Sequence, residues 1–143
     1  MTATRCPKCG AKAVKPRKRP GRTTRYRNIG ALPIPADFPI PTCGRCAAEF
    51  LNAATCDRLA PLLRKAYQAV LCDVASKLVP AATANLSQRK LQILLGLSQG
   101  YLSRLKSRSG QPSAILIALL YLLTQPGTVA KLERFFAFLA AVG

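Results

Sequence analysis

The spacing of apolar side chains divides the chain into a proline-rich first part and a helical second part. Between residues 23 and 41, apolar residues alternate with polar residues and four prolines. Repeated proline excludes a central strand but allows an extended edge ribbon. We therefore expect residues 1–50 to form a small module with an extended or β ribbon.

From residue 52 onward, apolar residues recur at steps of three and four, which is the period of an amphipathic helix. Pro61 is expected to kink or divide the first helical stretch, and residues 79–85 are expected to form a linker. The sequence predicts a helical linker over residues 51–79 and a helical domain over residues 80–143. The predicted fold class is mainly α.

Residues 87–106 show the pattern of two short helices that meet steeply across a tight turn. Leu91 and Leu95 are expected on the inner face of the first helix, and Leu102 and Leu105 on that of the second. This is a helix-turn-helix pattern, and the helices around it make a five-helix type of domain. An ordinary helical hairpin would show the same leucines and is the alternative.

The predicted turn has its own signals. Gly96 is expected to adopt the left-handed conformation that ends the first helix. Ser87 is expected to cap the N-terminus of the first helix, and Ser98 that of the second. Gln92 departs from the pattern, because a small residue usually stands where the two helices cross; either the crossing is looser or the side chain turns outward.

Two apolar helices are predicted near the C-terminus. Residues Ala114–Leu123 are almost entirely apolar and are expected to form the buried centre of the domain. The last helix, which follows a break at residues 125–127, carries two apolar stripes. One stripe can face the core, and the other is expected to form the interface of a homodimer; a loosely held C-terminal end is the alternative.

The charge of the chain favours a polyanionic partner. The chain has 22 Lys and Arg against five Asp and Glu, a formal net charge of +17, and nucleic acid is the usual partner of such a field. Residues 5–27 hold ten of the basic residues and no acid. We interpret residues 12–27 as a flexible basic loop, with a merely solvated loop as the alternative. Its candidate DNA phosphate contacts are Arg17, Lys18, Arg19 and Arg22.

Neither a signal peptide nor a membrane span is expected from the sequence. The N-terminus lacks an apolar segment of signal-peptide length, and the longest apolar run has only ten residues. We expect a cytoplasmic, nucleoid-associated protein with no membrane partner.

Four of the six cysteines form two pairs, Cys6-x-x-Cys9 and Cys43-x-x-Cys46, separated by 33 residues. In a reducing compartment such pairs bind metal rather than form disulfides. Two CxxC turns supply the tetrahedral shell that structural zinc prefers, so we predict that these four residues hold one structural Zn²⁺. A redox pair or an iron–sulfur cluster is the alternative. A closed shell of four sulfurs leaves no open position for catalysis.

The face that the leucines of residues 87–106 leave exposed favours a DNA-binding helix-turn-helix over an ordinary helical hairpin. It has no acid, and its Gln and Arg side chains are of the types that pair with adenine and guanine. The candidate base-reading residues are Ser98, Gln99, Gly100, Tyr101 and Arg104. The candidate phosphate contacts beside them are Gln88, Arg89, Ser103 and Lys106.

Two CxxC turns, a helical linker and a helix-turn-helix together resemble the MqsA antitoxin family, also described as YgiT-type zinc-finger proteins. Residues 87–113 alone are similar to the larger Cro/repressor-like group, and the whole resemblance extends from Cys6 to about Phe136. It implies zinc ligands at the four cysteines, base reading by Arg104, and a dimer on a palindromic operator. An asparagine of the family's recognition helix is replaced by Gly100, which implies a different operator.

The expected function is that of a sequence-specific transcriptional regulator, an autorepressor that binds double-stranded DNA as a homodimer. The resemblance also supplies the alternative, an antitoxin that neutralises a ribonuclease toxin through its zinc domain in a toxin–antitoxin system. An enzyme is not expected, because the chain has no histidine and no paired carboxylates to hold a catalytic metal.

Overall fold

A computed structural model describes residues 5–84 and 86–142 of the chain. It contains two compact units, a first unit over Met1–Tyr67 and a second unit over Gln68–Gly143. About half of the chain is helical, and the strands form small antiparallel pairs in the first unit. The coarse prediction of a mainly α chain with an N-terminal β ribbon is confirmed.

The first unit contains four short strands, β1 (Val14–Arg17), β2 (Thr23–Tyr26), β3 (Ile29–Pro33) and β4 (Ile40–Cys43). Strand β1 pairs with β4 and β2 pairs with β3, both antiparallel. Part of the predicted flexible loop is therefore a strand. Proline did not prevent this, because Pro16 faces Pro41 in a pair of edge strands, where a missing amide proton need not cost a ladder hydrogen bond.

Helix α1 (Ala53–Thr83) is one uninterrupted helix of 31 residues. The expected division at Pro61 is therefore wrong, and so is the linker over residues 79–85, since the helix continues to Thr83. Packing outweighs the loss of one helical hydrogen bond at each proline, because buried side chains recur along the whole helix. These are Leu59, Leu63, Tyr67, Leu71, Ala75, Val79 and Ala82.

The second unit continues with α2 (Gln88–Leu94), α3 (Tyr101–Lys106), α4 (Ala114–Leu123) and α5 (Thr128–Val142). Leu91, Leu102 and Leu105 are at most 1% exposed and lie in one hydrophobic core with residues of α1 and α4. The prediction for these three leucines is confirmed. Leu95 lies at the end of α2 and is only partly buried against this core.

The turn between α2 and α3 agrees with part of the prediction. Gly96 has a φ of +62°, as expected, and the Ser87 hydroxyl accepts a hydrogen bond from the amide of Lys90 at 3.2 Å. The predicted cap at Ser98 is wrong. Helix α3 begins only at Tyr101, so the capping position falls on Gly100, whose φ of +77° favours glycine.

Helix α4 is buried on one side only. Leu116, Leu120 and Leu123 face the core, whereas Ile115 and Leu122 are exposed, so the expectation of a fully buried central helix is wrong. No residue of α5 that the structure describes is buried. No single helix within residues 5–84 and 86–142 is long and apolar enough to cross a membrane. Helices α4 and α5 reach that length and composition only as a pair bent by 112°.

Candidate functional site

Strand pairing brings the two CxxC turns of the first unit together. The first turn precedes β1 and the second follows directly from β4, and these strands pair so that Val14 stands opposite Cys43. Each turn is closed by its own backbone, through hydrogen bonds from the Gly10 amide to the Cys6 carbonyl and from the Ala47 amide to the Cys43 carbonyl. The amide of Gly44 also donates to the Ala13 carbonyl, which ties the second turn to the chain after the first.

The four predicted cysteine ligands form one cluster. The Sγ atoms of Cys6 and Cys46 are 3.6 Å apart, as are those of Cys9 and Cys43, and all four lie within 4.8 Å of one another. Cys6 and Cys43 are buried. The prediction that these residues come together is confirmed, and their geometry could hold a metal ion. Cys56 and Cys72 lie outside the cluster.

The electrostatics of the cluster favour a bound cation. Amide hydrogen bonds from Cys46 and Arg45 lower the pKa of the Cys43 thiol to about 6. A hydrogen bond with the backbone of Ala11 lowers the pKa of Cys9, but desolvation and the other three sulfurs together raise it to about 12. Crowded thiols cannot all ionise unaided, so a cation that binds all four would displace their protons.

Arg22 is the predicted phosphate contact that the structure contradicts. Its side chain is buried, and its Nε donates to Glu49 Oε1 at 2.9 Å. Its Nη1 donates to the carbonyl of Arg17 at 2.9 Å and to that of Phe38 at 3.4 Å. The guanidinium therefore holds three segments of the first unit together, and its side chain is too buried to contact DNA. By contrast, Arg17, Lys18 and Arg19 are exposed.

We expect Arg22→Ala to destabilise the first unit by about 2 kcal/mol, because the substitution leaves two backbone carbonyls and a half-buried carboxylate without their donor. Arg19→Ala is the matched control. Arg19 lies 4.0 Å from the same carboxylate but is mostly exposed, so its loss should cost less than about 0.5 kcal/mol. Urea unfolding, followed by the amide NMR signals of β1 to β4, measures the stability of both variants. If Arg22→Ala and Arg19→Ala lose the same free energy of unfolding, Arg22 has no special structural role.

Three of the predicted phosphate contacts lie side by side at the start of α2 and on α3. Gln88 Nε2 donates to the Ser103 hydroxyl at 3.2 Å, and Lys106 Nζ donates to Gln88 Oε1 at 3.0 Å. Arg89 is exposed next to them. The hydrogen bonds orient these polar groups on one exposed patch of the second unit.

The predicted base-reading residues are exposed or half-buried. Ser98 and Gln99 lie exposed in the turn, and Arg104 is exposed on α3. Its guanidinium lies over the Tyr101 ring, 5.6 Å from the ring centroid, and also lies close to Gly100. The Tyr101 hydroxyl donates to the Gln111 carbonyl at 3.1 Å, so this ring leans towards the loop after α3.

No acid opposes this surface. The sequence holds no acid between Asp73 and Glu133, and both of these carboxylates are paired. Asp73 accepts from Lys77 and Arg108, both at 2.6 Å, and these cations lower the pKa of Asp73. Glu133 lies 2.5 Å from Lys90. The exposed surface of α2 and α3 is therefore positive.

Two contacts around the turn were not expected from the sequence. Gln92 reaches across the turn and donates to the Ser98 carbonyl at 3.4 Å, which accounts for a large polar residue at the crossing. Gly110 packs against α3 so closely that a Cβ there would lie 2.9 Å from Leu105 Cδ2. No local signal distinguishes this glycine from one in an open loop.

Comparisons of the chain with protein families, with curated proteins and with solved structures found no match.

Proposed function

We propose that this chain is a sequence-specific DNA-binding transcriptional regulator, an autorepressor that binds a palindromic operator as a dimer. In this proposal α2 and α3 form a helix-turn-helix, and α3 is the recognition helix. The observation that carries it is the two-sided character of α3: Leu102 and Leu105 are buried, whereas Ser103, Arg104 and Lys106 face solvent on a surface without acids.

Base reading requires side chains that reach out while their helix stays fixed. The buried leucines anchor α3, and the contact of Arg104 with Tyr101 restrains the guanidinium before DNA arrives. Restraint lowers the entropy cost of binding, and a guanidinium can donate two hydrogen bonds to guanine in the major groove. Gln99 would read adenine in the same way. We assign base reading to Ser98, Gln99, Gly100, Tyr101 and Arg104.

Affinity would come from contacts with phosphates. The linked side chains of Gln88, Ser103 and Lys106 offer donors at one exposed position, and Arg89 adds a charge beside them. Such contacts fix the register of a protein on the duplex but carry no sequence information. In the first unit, Arg17, Lys18 and Arg19 would add phosphate contacts, and Arg22 is excluded from this role by its burial.

The four-cysteine cluster fits a structural Zn²⁺. With Zn–S bonds of 2.3 Å, the edge of a regular tetrahedron is about 3.8 Å, close to the two 3.6 Å distances between sulfurs. Cys6, Cys9, Cys43 and Cys46 would fill all four positions, so the ion would stabilise the fold of the first unit and perform no catalysis. Membership of the MqsA family and toxin binding stay predictions, since no contact in the first unit favours a toxin over nucleic acid.

Fluorescence anisotropy at about 150 mM salt tests the proposal. We expect the duplex upstream of the chain's own gene to bind about a thousandfold more tightly than a scrambled duplex of equal length. Selection from a random duplex pool separates sequence-specific binding from autorepression. Enrichment of a palindrome, without binding to the duplex upstream of the gene, would contradict autorepression and leave sequence-specific binding in place. Equal and steeply salt-dependent binding to all duplexes would contradict sequence reading, because charge alone would then account for it.

A further inference from the structure

The first unit contains an open cavity of about 360 Å³ beside strand β2. We call it the Arg22 cavity, because Arg22 forms part of its lining. A space of this size admits a small ion or molecule. None of its lining residues belongs to the four-cysteine cluster, so the cavity is a separate candidate site. Its polar lining residues are Arg19, Arg22, Thr23, Thr24 and Glu49.

Arg22 brings to this cavity a hydrogen-bond donor that the fold does not use. The residue is only 5% exposed, and its Nε and Nη1 donate to Glu49 and to two backbone carbonyls. Its Nη2 has no acceptor among residues 5–84 and 86–142. No enclosed polar side-chain atom of these residues lacks a partner, so Nη2 must be open to the space that Arg22 lines. A ligand with an acceptor oxygen can therefore reach it.

The other donors of the cavity favour an anion with several oxygens. The side chain of Arg19 is 66% exposed and lies at its rim, and the hydroxyl groups of Thr23 and Thr24 line its wall. Residues 5–67 hold 14 Lys and Arg against three Asp and Glu, so the surrounding field is positive. Guanidinium groups donate well to the oxygens of carboxylate and phosphate. The donors alone therefore indicate an oxoanion.

Glu49 restricts which oxoanion fits the cavity. Its Oε1 accepts from Arg22 Nε at 2.9 Å, and its Oε2 receives no hydrogen bond from the part of the chain that the structure describes. A carboxylate only accepts hydrogen bonds, so it attracts an anion that carries a proton and repels one that carries none. At neutral pH inorganic phosphate keeps an O–H group, whereas sulfate has none. Two arginines with one carboxylate therefore favour phosphate over sulfate.

We infer that the Arg22 cavity binds inorganic phosphate. Phosphate oxygens accept from Arg22 Nη2, from the Arg19 guanidinium and from the threonine hydroxyls of the wall, and the phosphate O–H donates to Glu49 Oε2. A ligand that binds only the folded state stabilises it, so phosphate should stabilise the first unit. The inference does not depend on DNA reading, because no residue of α2 or α3 lines this cavity.

An amide NMR titration of the full chain with phosphate, at about pH 7.5 and constant ionic strength, tests the site. We expect the amides of Gly21 and Thr24 to shift and to saturate with a dissociation constant on the order of 1 mM. Sulfate should bind about tenfold more weakly, because it cannot donate to Glu49. Charge alone would favour sulfate, which carries the larger charge at this pH. Shifts that do not saturate, or sulfate binding as tight as that of phosphate, would overturn the inference.

Glu49→Gln tests the selectivity of the cavity. The glutamine keeps an oxygen that can accept from Arg22 Nε, so the first unit should stay folded, and the dispersed amide signals of β1 to β4 check this. Without the carboxylate, we expect phosphate and sulfate to bind within about twofold of each other. An unchanged preference for phosphate in this variant would overturn the role of Glu49 and with it the inference.

Two arginine variants separate the cavity from the general charge of the first unit. Arg19→Ala should weaken phosphate binding about fivefold. Arg25→Ala is the matched control, because Arg25 is an exposed arginine of β2 outside the cavity lining, and it should change the affinity less than about twofold. Equal losses in the two variants would mean that charge alone attracts the anion, and would overturn the inference.

Adenosine monophosphate distinguishes the free ion from a phosphate ester. The phosphate group of an ester has a second pKa of about 6, so at pH 7.5 most of it has no proton left to donate to Glu49. We expect it to shift the same amides but to bind more weakly than inorganic phosphate. Tighter binding would make a phosphate ester the ligand and overturn the assignment to the free ion.

Discussion

Replacement of Cys43 by Ser is expected to abolish binding of the proposed zinc ion and to unfold the first unit, while the second unit stays folded. Cys43 ends strand β4, stands opposite Val14 and places its Sγ 3.6 Å from that of Cys9. Structural zinc contributes about 10–16 kcal/mol to the folding of zinc-finger peptides, as much as or more than the whole stability of a typical domain. The free energy lost with one ligand should therefore exceed the folding stability of the small first unit.

Cys56→Ser is the matched control, because Cys56 is exposed and lies outside the cluster. Metal analysis should find one zinc per chain in wild type and in this control, and far less than one in Cys43→Ser. Amide NMR spectra should lose the dispersed signals of β1 to β4 and keep those of α2 to α4. One zinc retained by Cys43→Ser, or the collapse of both units, would contradict this account.

The cysteine site could be predicted from local sequence, but the strand pairing and the Arg22 contacts that hold the first unit together could not. A CxxC pair is a local signal, and two such pairs fill one tetrahedral shell whatever chain lies between them. Strand β1 was not predicted, because Pro16 lies in the stretch interpreted as a flexible loop and only its register with Pro41 shows it to be an edge strand. The sequence did not distinguish the buried Arg22 from its exposed basic neighbours, because its ion-pair partner, Glu49, lies 27 residues away.

The helical domain shows the same division between local and tertiary information. The buried positions of Leu91, Leu102 and Leu105 followed from helical periodicity, because this period reports which side of a helix is apolar. The start of α3 did not follow, since Ser98 and Gly100 are both acceptable caps and only the backbone decides between them. The kink at Pro61 and the linker over residues 79–85 were wrong because packing along α1 compensates for its prolines.

Replacement of Arg104 by Ala is expected to weaken binding to the preferred duplex about 10- to 100-fold and to leave binding to a scrambled duplex within about twofold. A bidentate contact with guanine is worth about 1–3 kcal/mol of discrimination. The loss should be specific because the Arg104 guanidinium lies over Tyr101 and takes no part in the hydrogen bonds of the Gln88, Ser103 and Lys106 patch that we assign to phosphates. Anisotropy titrations at fixed salt measure both affinities.

Arg134→Ala is the control for charge, because Arg134 is an exposed arginine of the same unit on α5. It removes one positive charge without touching α3, so it should weaken both duplexes slightly and equally. Arg104→Lys separates geometry from charge: lysine keeps the charge but cannot form the planar pair of hydrogen bonds, so most of the specific loss should remain. If Arg104→Ala loses the same affinity for both duplexes as Arg134→Ala does, Arg104 is only a phosphate contact. That result would contradict the assignment of α3 as the recognition helix.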